Sequence, residues 1–98
     1  MIPREGPRPG ETREARLRRL AMRAGRRGIK EMDVILGPWA AERLAAMDGA
    51  RLDAFEALLA ENDQDLYAWV AGRAAPPAAH APLIAEIARD AKERHRRP

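Results

Sequence analysis

Ninety-eight residues without an internal repeat describe one domain with a small core and little room for a deep ligand cavity, which weighs against a self-contained enzyme. The lack of cysteine excludes disulfides, thiolate chemistry and cysteine-ligated metals, and no run approaches the roughly 20 apolar residues of a bilayer span. The net charge of +3 hides a segregation along the chain: residues 1–30 carry net +7, residues 31–88 net −7 and residues 89–98 net +3.

Pro3, Gly6, Pro7, Pro9 and Gly10 make residues 1–11 an unstructured segment in expectation. Thr12 is a helix N-cap candidate, and Leu17, Leu20, Ala21 and Ala24 follow at helical spacing until Gly25 and Gly28. A second helix is expected from Ile29, with Met32, Ile35 and Leu36 inward, interrupted by Gly37 and Pro38. A third carries Trp39, Leu44 and Met47 and closes near Asp48 and Gly49. Leu52, Phe55, Leu58 and Leu59 mark the next, and Asn62 or Asp63 caps another that buries Leu66, Trp69 and Val70 and stops at Gly72. The last follows the turn "AAPPAAHAP", with Leu83, Ile84, Ile87, Ala88 and Ala91 on one face and a basic tail over 93–98. No stretch alternates with the period of a strand, so the fold class is all-α: a compact single-domain bundle of about five short helices over 12–92.

The residues that carry chemistry in other proteins are sparse. His80 and His95 are unrelated in spacing, which argues against a metal site. Thr12 and Tyr67 are the only side-chain hydroxyls, so hydrolytic triads are excluded. Asp63 and Asp65 read as acids favoured in a first helical turn, not as a catalytic pair. Arg13, Arg16, Arg18, Arg19, Arg23, Arg26 and Arg27 could contact phosphates, yet the acidic middle of the chain and the apolar settings of Trp39, Phe55 and Trp69 disfavour nucleic acid.

The stretch "RRGIKEMDVIL", Arg26 to Leu36, places a glycine where the charge of the chain changes sign. It resembles the Arg-Gly-x-x-Glu signature of the SdhE-like FAD assembly factors, here Arg27, Gly28 and Glu31, and it follows a basic helix and precedes "LDAFEALLAENDQDLYAWVAGR". The resemblance covers about Leu17 to Arg73 and implies a five-helix, non-enzymatic chaperone. Such a factor binds the flavoprotein subunit of succinate dehydrogenase, and in bacteria also that of fumarate reductase, and promotes covalent attachment of FAD to a client histidine. It implies partner-binding residues Arg26, Arg27, Gly28, Glu31 and Asp33, with no cofactor of its own, FAD belonging to the client. Physically, Gly28 is expected at positive φ to admit another backbone, Arg27 offers a planar fork for a carboxylate, and Glu31 suits the first turn of the next helix. We expect a soluble, cytoplasmic protein, monomeric when free. The rival readings are a small basic nucleic-acid-binding protein and an antitoxin-like binding protein.

Overall fold

The computed structural model describes residues 8–96. Five helices follow in order: α1 over Arg13–Gly25, α2 over Lys30–Arg43, α3 over Gly49–Leu59, α4 over Asp63–Val70 and α5 over Ala81–Arg96, with a 3-10 turn over Leu44–Ala46 between α2 and α3. Among the described residues there is no strand and no helix long and apolar enough to cross a membrane.

The starts and stops follow local chemistry. The Thr12 hydroxyl accepts from the Ala15 N–H, Asp48 caps α3 through the Arg51 N–H, and Asn62, rather than Asp63, caps α4. Gly72 lies in the left-handed region at φ 79°, where L side chains are strained. Its N–H reaches Trp69 O and the Arg73 N–H reaches Ala68 O, so α4 ends on paired carbonyls.

The expected break at Gly37 and Pro38 does not occur: α2 runs through both. Proline inside a helix costs about 3 kcal/mol. Met32 and Leu36 before it and Trp39 and Ala40 after it are all buried on one face, and each large apolar side chain contributes roughly 1.5–3 kcal/mol when buried, so packing outweighs the interruption. α1 passes close to Gly37, where a Cβ would lie 3.6 Å from the Gly25 Cα, an ordinary contact that does not itself require glycine. The core gathers Leu20, Met32, Leu36, Trp39, Phe55, Leu58, Leu66 and Ile87, with the Trp39 and Phe55 rings 5.3 Å apart across α2 and α3.

Both ends differ from expectation. Residues 1–7 of the expected N-terminal segment lie outside the described residues, but Glu11 within it is fixed by two hydrogen bonds from Arg19, at 2.8 and 2.9 Å. Residues 93–96 of the expected basic tail continue α5. No glycine or proline interrupts them, and Arg94 holds the last turns through Asp90 and Glu42, both at 2.7 Å.

Candidate functional site

The charge-reversal stretch is the corner between α1 and α2. Arg26 leaves the helix at φ −131°, ψ 58°, and Ile29 is extended at φ −122°, ψ 140° before α2 begins. Arg27 lies between them with its guanidinium turned inward. Its Nε donates to Asp63 Oδ1 at 2.5 Å, and its terminal nitrogens donate to Leu59 O at 2.6 Å and Glu61 O at 2.8 Å. The two carbonyls lie at the end of α3 and just beyond it, where backbone acceptors lack helical partners and a cation is favoured. The Arg27 backbone N–H donates to the Asp33 carboxylate. Arg27 therefore uses its planar fork within its own chain, joining the corner to the α3–α4 link.

Gly28 has a different role from the one expected of it. It is not among the positive-φ residues. Its N–H donates to Asp63 Oδ2 at 2.5 Å, and a Cβ at this position would lie 2.8 Å from the same oxygen. The missing side chain makes room for a carboxylate, not for another backbone. Asp63 thus grips Arg27 with one oxygen and Gly28 with the other, a role that reading it as a helix-dipole acid missed. The available signal was Asn62, which satisfies the start of α4 and leaves the Asp63 carboxylate free to reach across.

The remaining corner residues face solvent. Arg26 and Glu31 are exposed and form no ion pair or side-chain hydrogen bond among the described residues. Beside them Lys30, Glu31, Val34, Ile35 and Tyr67 line an open groove of about 390 Å³, in which Val34 is 60% exposed. Of the five partner-binding candidates, Arg27, Gly28 and Asp33 shape the corner from within, while Arg26 and Glu31 point outward.

This corner falls inside a stretch, residues 18–91, that matches the model of a family described as Sdh5, flavinator of succinate dehydrogenase. The chain belongs to that family. It is 40% identical over 62 residues to a mitochondrial succinate dehydrogenase assembly factor 2 of Meyerozyma guilliermondii, covering 63% of this chain and 46% of that protein. A Cryptococcus neoformans protein of the same description is 32% identical over 93 residues, 93% of this chain and 53% of that protein. The FAD assembly factor SdhE of Legionella pneumophila is 39% identical over 51 residues, 52% of this chain and 65% of its own length. The chain spans about half the length, or less, of the fungal relatives it matches.

The Sdh5 match begins at Arg18, so part of a second charged assembly, the seam between α1 and α3, lies before it. Arg16, 4% exposed, donates to Asp53 at 2.6 Å and to Glu56 at 3.1 Å. Arg19 reaches the same Glu56 at 2.9 Å, as well as Glu11. The hydrogen bond from Arg19 brings the Glu11 carboxyl down to about 2. Burial alone would raise the Glu56 carboxyl, but hydrogen bonds and charge from Arg19 and Arg16 leave it net below its ordinary value.

Other sequence candidates are likewise engaged. Arg13 donates to Ala45 O and Met47 O. His80 is buried, with Nε2 2.8 Å from Glu61 and its ring beside Trp69, and no metal-binding cluster occurs among the described residues. With these arginines turned inward, few remain to contact phosphates, which weakens the nucleic-acid reading.

Proposed function

We propose that this chain is a non-catalytic assembly factor that binds the flavoprotein subunit of succinate dehydrogenase and promotes its covalent flavinylation. The flavoprotein of fumarate reductase is a second client of the same kind. The observation that carries the docking site is the Asp63 grip on Arg27 and Gly28, which holds the Arg-Gly-x-x-Glu stretch in one shape and leaves Arg26, Lys30 and Glu31 outward beside exposed Val34. Arginine, with its rigid donor fork, and a carboxylate next to an apolar groove suit recognition of a polar protein surface. The factor carries no cofactor of its own in this reading: FAD stays with the client, and the factor stabilises the client in a form competent for flavin attachment. In this reading it acts as a monomer in the cytoplasm; its relatives include proteins described as mitochondrial and a bacterial factor.

In cells lacking their native factor, this chain is expected to restore in-gel flavin fluorescence of the flavoprotein. Gly28→Arg is expected to abolish that rescue, because the new side chain displaces Asp63. Glu31→Ala is expected to weaken binding with helical circular dichroism intact. Undiminished fluorescence with Gly28→Arg, or unfolding with Glu31→Ala, counts against the docking corner.

A further inference from the structure

The outer face of α1 carries a feature outside the Arg-Gly-x-x-Glu signature. Arg13, Arg16, Arg19 and Arg23 of this helix each have a partner: two carbonyls for Arg13, carboxylates for Arg16 and Arg19, and Glu56 at 4.0 Å for Arg23. Arg18 and, at the helix end, Arg26 are exposed, and their side chains form no ion pair or hydrogen bond among the described residues. Between them, one turn from each, stands Met22 at 56% exposure, which with Val34 makes up the large exposed apolar side chains among the described residues. Residues four apart lie on the same side of a helix, so the three form one stripe.

We infer that this stripe is a second contact for the client flavoprotein, fitted to an acidic segment that presents an apolar side chain between two carboxylates. Eight residues at a rise of about 1.5 Å put the two guanidinium stems roughly 12 Å apart, a span that carboxylates two turns apart on a partner helix would match. Unpaired guanidiniums supply charge complementarity, and the flexible thioether fills the centre of the contact. Arg26 belongs to both surfaces, so the stripe continues the docking corner, and the inference rests on the client-binding reading above. A nucleic acid fits less well. The stripe itself holds two unengaged cations, with Lys30 near Arg26, short of the roughly 6–10 phosphate contacts that support strong binding, and Glu14 is exposed on the same face.

The test is calorimetric titration of the full chain into the purified flavoprotein subunit at low and high salt. Arg18→Glu combined with Met22→Ala is expected to weaken binding about tenfold at low salt and to flatten the salt dependence, since a removed interface charge acts most where screening is weak. Arg18→Lys retains most of the affinity, and the urea midpoint stays unchanged in both variants. If the double variant binds like the parent while Glu31→Ala does not, the stripe is not a contact and the corner stands. If the parent chain fails to bind the flavoprotein, both readings fall. Tighter binding of the parent to a short DNA duplex than to the flavoprotein, lost in the double variant, reassigns the stripe to a polyanion and overturns the proposal.

Discussion

At the seam between α1 and α3, Arg16 and Arg19 converge on the buried carboxylate of Glu56. At the α1–α2 corner Arg27 is held by Asp63 and two carbonyls while its neighbour Arg26 stands in solvent. The seam closes its charges on one another, leaving Asp53 as its exposed member. The corner engages part of its charge to fix a shape and turns the rest outward. The contrast teaches that charge density along the chain does not tell which charges are free for a partner; that depends on what is left over once the internal partners are taken.

That difference can be broken from the seam side first. Glu56→Ala strands Arg16 in a buried position with only the more exposed Asp53 as partner, and losing one member of a buried pair costs about 3–5 kcal/mol. A lowered urea midpoint with unchanged slope checks it. Arg27→Ala comes next, at about 2–3 kcal/mol, because it leaves Asp63 and the α3 carbonyls without their charged donor. Gly28→Ala is expected to cost about 1–2 kcal/mol by crowding Asp63, in the range of other overpacking substitutions. Thermal denaturation of the two variants side by side ranks them.

Acid titration sharpens the seam further. Glu11 and Glu56 both have carboxyls held below their ordinary value, so their contribution is present above 4.5 and is lost as pH falls below it, for Glu11 toward about 2. Urea midpoints at successively lower pH should fall through that window, and less steeply in Glu11→Gln. Arg26→Ala is the smallest expected effect: within about 0.5 kcal/mol of the parent in stability, as for surface changes generally, yet weaker in client binding.

The all-α class, the cap at Thr12, the start of α4 at Asn62 or Asp63, and most core positions were legible in the sequence because they depend on neighbours within a few residues. Continuity of α2 through Pro38 was not, since it depends on Trp39 meeting Phe55 from a distant helix. The corner was located by its signature, but its internal logic was not: the partner of Gly28 is 35 positions away, and no local pattern announces it. The same reason hid the burial of Arg16, which reads locally as one more basic residue on a basic helix.

The Asp63 grip also has a consequence in time. It joins Arg27 and Gly28 to a residue 36 and 35 positions further along, so the long loop between them must close before the corner exists. During synthesis the first helices emerge before α4 does. A nascent or partly folded chain therefore carries the complete Arg-Gly-x-x-Glu signature without its working shape. Under the proposed function, a client docking on this corner selects the completed fold, and an unfinished chain does not compete for it.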